Sequence, residues 1–73
     1  MNTGKHKPEN YPNNIELIGI PCVLDSNGVF WFYFKEEQRI TVTDKDGNPE
    51  EGGYWCESLE DGIWYLRKDG YIE

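Results

Sequence analysis

Short hydrophobic runs separated by turn dipeptides make up the chain from residue 15 onward. The dipeptides pair Asn or Asp with Gly, a combination that favours tight hairpin turns. They are Asn27-Gly28, Asp46-Gly47, Asp61-Gly62 and Asp69-Gly70. The runs between them are rich in β-branched and aromatic residues, which favour strands, and no window shows the periodicity of an amphipathic helix. This pattern predicts short antiparallel strands joined by tight turns.

About five strands are expected, arranged as a small antiparallel meander. The predicted strands cover residues 15–19, 21–24, 29–35, 39–43, 54–57 and 63–67, with a short tail strand at 71–72. The first two can form one bent strand kinked at Pro21, and residues 25–28 make the turn of the next hairpin. A meander of this length forms an SH3-like barrel or a curled open barrel. Only residues 57–61 tolerate a helical turn, so the expected fold class is mainly β with little or no helix.

The start of the chain differs in composition from the rest. Residues 1–14 contain two Pro and four Asn and almost no apolar side chains, with a small basic cluster at Lys5, His6 and Lys7. That composition is typical of a flexible terminal arm. A chain of 73 residues is long enough for one domain only. We therefore predict an N-terminal arm followed by a single compact β domain at 15–73.

The predicted strand at 29–35 is apolar on both of its faces. Alternation places Phe30, Phe32 and Phe34 on one face and Val29, Trp31 and Tyr33 on the other. A strand with one face in water would alternate apolar and polar residues instead. Because 73 residues cannot cover both faces of a flat sheet, either the sheet curls around its core or aromatic surface stays open to a partner. The candidate anchors of such a surface are Trp31, Tyr33 and Trp55, and a place in the core is the alternative for them.

The charge balance narrows the function classes. Fourteen acidic residues against seven basic ones give a net charge of −7, which argues against direct binding of a nucleic-acid backbone. No apolar run is long enough to span a membrane. The acids concentrate in the polar turns, where they either keep the protein soluble or steer a basic protein partner towards it. The candidate steering residues are Glu36, Glu37, Asp44, Asp46, Glu50 and Glu51.

Residues that could carry catalysis or bind a metal are sparse. The single histidine, His6, lies in the arm and leaves no base in the body to activate a Ser or Cys nucleophile. Zinc needs four closely spaced ligands, which His6, Cys22 and Cys56 do not provide. The Asp44 loop begins like a calcium-binding loop but has Pro49 where that loop requires Gly. We therefore expect no enzyme activity, no cofactor and no metal site.

The two cysteines indicate the compartment. The first residues contain no apolar segment of the kind found in secretion signals, so we expect a cytoplasmic protein. Disulfides are rare in the cytoplasm. Cys22 and Cys56 are then reduced core thiols, and a Cys22–Cys56 disulfide is the alternative.

Together these features favour a small acidic domain that binds another protein. Carboxylates in rows imitate phosphates, and phage-type inhibitors and immunity-like proteins use this principle to dock on basic partners. The expected mechanism combines acidic loops that steer the encounter with aromatic anchors that are buried on contact. One alternative is a small-ligand or carbohydrate-binding module that uses exposed Trp and Tyr as stacking platforms. Another is a structural or assembly component that forms homo-oligomers, for which a homodimer is the simplest form.

Overall fold

A computed structural model describes residues 19–44 and 46–73 of the chain. The predicted arm, and the first predicted strand apart from Gly19, lie outside the described residues. The described part contains four strands followed by one helix: β1 (Cys22–Leu24), β2 (Phe30–Phe34), β3 (Arg39–Thr41), β4 (Tyr54–Trp55) and α1 (Leu59–Lys68). Each strand pairs antiparallel with the next one along the chain, in the sheet order β1-β2-β3-β4. The described fold is therefore mainly β, an open antiparallel meander with one short helix.

The predicted strand at 63–67 is wrong, because these residues lie inside α1. The helix begins after Ser58, whose hydroxyl oxygen accepts a hydrogen bond from the Asp61 amide at 3.1 Å. This is the usual way in which a serine caps the free amides at a helix start. Asp61-Gly62, interpreted from sequence as a turn, is therefore part of the first helical turns.

The end of α1 is set by Gly70, which has a φ of +89°. In this left-handed conformation the Gly70 amide donates to the Arg67 carbonyl at 3.1 Å, and the Tyr71 amide donates to the Leu66 carbonyl at 2.9 Å. The two bonds form the glycine-dependent motif that closes many helices. The tail strand predicted at 71–72 is also absent. The Tyr71 carbonyl instead accepts from the Ser26 amide at 2.8 Å, which ties the C-terminal residues to the β1–β2 turn.

The helix covers the sheet face that carries Trp31 and Tyr33. These two side chains are only 8% and 6% exposed. The buried cluster on this side consists of Trp31, Tyr33, Ile40, Cys56 and Leu66, with Val23, Val42, Tyr54, Leu59 and Ile72 packed against it. Trp31 and Tyr33 thus lie in the core, which was the alternative to a role as surface anchors, and they are not available to a partner.

The two cysteines lie on opposite faces of the sheet. Cys22 pairs across the strands with Phe32, so its side chain lies on the phenylalanine face, where Phe32 is 1% exposed. Cys56 belongs to the cluster under the helix. Both thiols are free in the structure. Their separation by the sheet excludes the Cys22–Cys56 disulfide.

The hairpin between β1 and β2 is organised by a buried carboxylate. Asp25 is 7% exposed. One of its oxygens accepts the amides of Asn27 and Val29 at 2.8 and 2.9 Å. The other oxygen accepts the indole N–H of Trp31 at 2.9 Å. Asp25 therefore fixes both the turn and the orientation of the largest core side chain on β2.

No helix within residues 19–44 and 46–73 is long and apolar enough to cross a membrane.

Candidate functional site

A concave surface lies where the edge strand β4 meets the helix, and we call it the β4–α1 groove. Its volume is about 490 Å³. The residues that line it are Gln38, Trp55, Cys56, Glu57, Asp61, Trp64 and Tyr65. Two of its aromatic side chains are well exposed, Trp55 at 75% and Trp64 at 57%. Large exposed tryptophans in one groove are unusual for a surface that only faces water, and they are typical of binding sites.

Strand alternation at the sheet edge accounts for the exposure of Trp55. Within β4, Tyr54 turns towards the core cluster, so its neighbour Trp55 points the opposite way. Trp55 pairs with Arg39 of β3 and belongs to the last strand of the sheet. A second, smaller hollow of about 250 Å³ also includes Trp55, together with Arg39, Glu51, Gly52 and Gly53. The indole of Trp55 therefore lines two adjoining hollows.

The helical wall of the groove is built from stacked aromatic rings. The ring of Tyr65 lies parallel to that of Tyr54, with centroids 5.5 Å apart. Trp64 meets Tyr65 edge to face at 5.0 Å, and the Lys68 ammonium lies 5.4 Å from the Trp64 ring centroid. Aromatic pairs in these arrangements attract one another beyond the area that they bury. The wall is thus held in place before any ligand arrives.

A hydrogen bond between the sheet and the helix end anchors this wall. The Tyr54 hydroxyl donates to the Asp69 carboxylate, at the residue that ends α1. The hydrogen bond, partial burial and the negative charge of Asp69 together raise the pKa of Tyr54 to about 12. Tyr54 therefore stays protonated, and remains a donor, throughout the neutral pH range.

The charge of the groove is negative. Glu57 and Asp61 bring two carboxylates to its lining, and among the described residues none that lines it is basic. Asp61 lies in the first turn of α1, where negative charge is favoured by the helix dipole, and Glu57 directly precedes the capping residue Ser58. The groove therefore combines flat aromatic surface with carboxylate acceptors, a combination that suits a positively charged group.

The six acids predicted as steering residues are spread over two connections. Glu36 and Glu37 lie in the β2–β3 turn, and Asp44, Asp46, Glu50 and Glu51 lie between β3 and β4. Of these six, Glu51 is the one that lines a hollow beside Trp55. The other five are not among the residues lining either hollow.

Two of these acids have structural contacts of their own. Glu37 forms an ion pair with Arg39 at 2.5 Å. Asp44 accepts the amides of Asp46 and Asn48 at 2.9 Å each, and these bonds lower the pKa of Asp44. The loop that resembled a calcium site in sequence is therefore closed by its own hydrogen bonds.

Trp55 is the predicted anchor that the structure places at the surface. Trp31 donates its indole N–H to Asp25, and the Tyr33 hydroxyl donates to the Cys56 carbonyl at 3.1 Å, so both have partners in the core. Sequence reasoning missed Trp64 as a site residue because it placed this residue on a strand. The signal that could have found it is the pair Ser58 and Asp61, three residues apart before an apolar run, which marks a helix start.

The described residues include candidate metal ligands and two thiols. No group of three or more His, Cys, Asp or Glu side chains within residues 19–44 and 46–73 is placed to hold a metal ion. Burial raises the pKa of both Cys22 and Cys56. A thiol with a raised pKa forms less of the reactive thiolate at neutral pH.

Comparison of the chain with protein-family models, curated proteins and solved structures found no match.

Proposed function

We propose that this chain is a small acidic protein-binding domain that docks on a basic partner and uses the β4–α1 groove as its contact site. The observation that carries the proposal is the exposure of Trp55 and Trp64 in one groove with the carboxylates of Glu57 and Asp61. Protein interfaces usually have aromatic anchors at their centre and polar or charged groups at their rim.

The exposed tryptophans supply the affinity in this proposal. Covering one exposed tryptophan removes roughly 150–250 Å² from water, worth about 4–6 kcal/mol before the costs of association are subtracted. Trp55 is the stronger anchor because it is the more exposed of the two. Its rigid ring also loses little conformational freedom on binding.

The acidic surface supplies the steering. A net charge of −7 on a chain of 73 residues speeds the encounter with a positively charged protein and repels acidic ones. This contribution falls as salt screens the charges. The other acids of the two connections act at this longer range, whereas Glu51, Glu57 and Asp61, which line the two hollows beside Trp55, act on contact.

The proposal is tested by affinity capture with matched baits. Beads carry the wild-type chain, the double variant Trp55→Ala/Glu57→Gln, or the control variant Leu24→Ala, which changes an exposed apolar residue on β1 at the other end of the sheet. We expect a basic protein that is retained by the wild type and by the control, is lost from the double variant, and is released by high salt. Purified, that protein should bind the wild type directly. Identical capture by all three baits, or a bound protein without basic surface, contradicts the proposal.

An inhibitor or immunity-like role is the more specific form of this function. In that form the carboxylates occupy the place on the partner where nucleic-acid phosphates bind. The check is competition: the wild-type chain should displace nucleic acid from the captured partner, and the double variant should not. The free thiols of Cys22 and Cys56 support the cytoplasm as the place of action.

A carbohydrate-binding module is the second candidate function, favoured by the same exposed Trp55 and Trp64. Sugars stack on such rings, but they do not need carboxylates arranged for a cation. Titrating the tryptophan fluorescence with sugars separates the two, because the protein-binding proposal expects no change. Light scattering tests a homo-oligomer in the same preparation.

A further inference from the structure

We propose that the group recognised by the β4–α1 groove is an arginine side chain of the partner, with its guanidinium stacked on Trp55 and paired with Glu57. This inference rests on the proposed function and specifies the chemistry of the same site.

A cation already lies against one of the groove's rings. The Lys68 ammonium is 5.4 Å from the centroid of Trp64, within the distance at which the electron-rich face of an indole attracts a positive charge. Lys68 belongs to the last turn of α1 and is not among the residues lining the groove. This contact shows on the chain itself how an indole of this surface pairs with a positive side chain, while Trp55 has no such neighbour among the ring contacts of the described residues.

Carboxylates lie on both sides of Trp55. Glu57 and Asp61 line the groove on one side, and Glu51 lines the smaller hollow on the other. A cation on the face of Trp55 therefore has acceptors within the same pair of hollows. Arg39, the basic residue of the smaller hollow, is already engaged by Glu37 and by two backbone carbonyls.

The combination favours arginine over lysine. A guanidinium is flat, so it stacks on an indole while its edge donates two parallel hydrogen bonds to one carboxylate. An ammonium is compact and strongly hydrated, and it must give up more water to reach the same place. The groove offers both a flat ring and carboxylates, and Gln38 adds an amide oxygen to the lining.

The test uses three short peptides that differ at one central position: arginine, lysine or citrulline, which keeps the shape of arginine without its charge. Binding to the full chain is followed by calorimetry and by tryptophan fluorescence. We expect the arginine peptide to bind about tenfold or more tightly than the citrulline peptide, and more tightly than the lysine peptide. High salt should weaken the binding of the arginine peptide and leave the binding of the citrulline peptide unchanged.

Variants locate the interaction. Trp55→Ala and Glu57→Gln should each weaken the arginine peptide, Trp55→Phe should keep part of the binding, and Leu24→Ala should have no effect. Circular dichroism checks that each variant folds. If Trp55→Ala does not fold, Glu57→Gln still tests the interaction.

The outcomes separate the inference from the proposed function. Equal binding of the arginine and citrulline peptides overturns the inference, as does binding that Trp55→Ala and Glu57→Gln leave unchanged. Equal binding of arginine and lysine also overturns it, while the basic partner of the proposed function remains. If no peptide binds but a basic protein is captured through Trp55, the arginine inference is wrong and the proposed function stands. If no basic protein is captured either, the inference and the proposed function are both wrong. A dimer seen by light scattering and abolished by Trp55→Ala identifies a second copy as the occupant and overturns the inference.

Discussion

Gly62 of the helix lies directly against the side chain of Ile40 on β3. A methyl group added at residue 62 would lie 2.7 Å from Cδ1 of Ile40 and 3.0 Å from its Cγ2. Ile40 is fully buried and cannot turn away into solvent. The absence of a side chain at Gly62 therefore sets how closely α1 approaches the sheet, and with it the width of the groove between α1 and β4.

The first prediction is that Gly62→Ala destabilises the protein. Alanine favours a helix over glycine by about 1 kcal/mol, but an extra methyl in a tight core costs about 1–3 kcal/mol. We expect overpacking to prevail and the free energy of unfolding in urea to fall by about 1–2 kcal/mol. A gain in stability would show that the helix moves away from Ile40 without cost.

A double-mutant cycle assigns this loss to the contact. Ile40→Val removes Cδ1, the atom nearest to the added methyl, and alone should cost about 0.5–1.5 kcal/mol. Combined with Gly62→Ala it should cost less than the sum of the two single changes, because the clash is relieved. Exposed Glu60→Ala on the same helix is the control and should change stability little. Simple additivity of the two core changes would contradict the assignment.

The second prediction concerns the buried carboxylate of Asp25. Asp25→Ala leaves the Trp31 indole N–H and two turn amides without their acceptor. Unpaired buried donors and lost charge-assisted bonds should together reduce the free energy of unfolding by about 2–4 kcal/mol. Exposed Asp46→Ala is the matched control, with an expected change below about 0.5 kcal/mol. If Asp25→Ala lowers the free energy of unfolding no more than Asp46→Ala does, water replaces the carboxylate as the acceptor of these hydrogen bonds.

The Asp25 prediction also has a spectroscopic check. Trp55 and Trp64 are exposed and would mask the emission of Trp31, so both are first changed to Phe. The remaining emission reports the environment of Trp31 alone. In this background Asp25→Ala should shift it to longer wavelength, because the core around the indole loosens and admits water.

The third prediction is a loss of stability at high pH that depends on Tyr54. Its pKa is raised from an ordinary value of 10 to about 12 in the folded protein, mainly by the hydrogen bond to Asp69. The unfolded chain therefore loses this proton first, so the contribution is fully present below about pH 10 and is lost as the pH rises towards 12. Urea unfolding across that range should show a steeper decline for the wild type than for Tyr54→Phe.

Asp69→Asn tests the cause of the Tyr54 shift. Without the negative charge the pKa of Tyr54 should move back towards 10, its ordinary value. The high-pH decline attributed to Tyr54 should then shrink. A decline that is the same in the wild type, Tyr54→Phe and Asp69→Asn would assign it to other groups.

The sequence pattern predicted the four strands of the described sheet, but it allowed only one helical turn, at residues 57–61, where the structure has the longer helix α1. The strands near residues 21–24, 29–35, 39–43 and 54–57 correspond to β1 to β4, because alternation and turn dipeptides are local signals. Gly62 weakens a helix locally, and Asp61-Gly62 therefore resembles a turn. The reason for glycine there is the side chain of Ile40, a contact between distant parts of the chain that local patterns do not contain.

The missed helix also explains why the residues that α1 brings to the groove, Asp61, Trp64 and Tyr65, were not predicted as site residues. On a strand, Trp64 and Leu66 would share one face. On the helix, Leu66 is fully buried in the core, while Trp64 is exposed and lines the groove with Trp55. The predicted anchors Trp31 and Tyr33 are covered by the same helix. Sequence periodicity thus correctly indicated that some aromatic side chains stay outside the core. Which rings remain at the surface is decided by the packing of α1.

The last prediction concerns Arg39, which holds the connection before β4 in place. Its Nη1 donates to the carbonyls of Glu50 and Gly52 at 2.8 and 2.7 Å, while Nε and Nη2 bind the Glu37 carboxylate. A lysine has a single charged group and cannot make this set of bonds. Arg39→Lys should therefore lower the free energy of unfolding by about 1–2 kcal/mol and speed amide hydrogen exchange at residues 50–53, next to Trp55.

The control for this change is Arg67→Lys in the last turn of α1. Arg67 is exposed and makes one long bond, 3.3 Å from Nε to the Glu73 carbonyl, so the substitution should leave stability and exchange nearly unchanged. Faster exchange confined to residues 50–53 in Arg39→Lys alone would show that the guanidinium positions the connection beside Trp55. Unchanged exchange there, with stability equal to that of Arg67→Lys, would mean that the connection keeps its shape without Arg39.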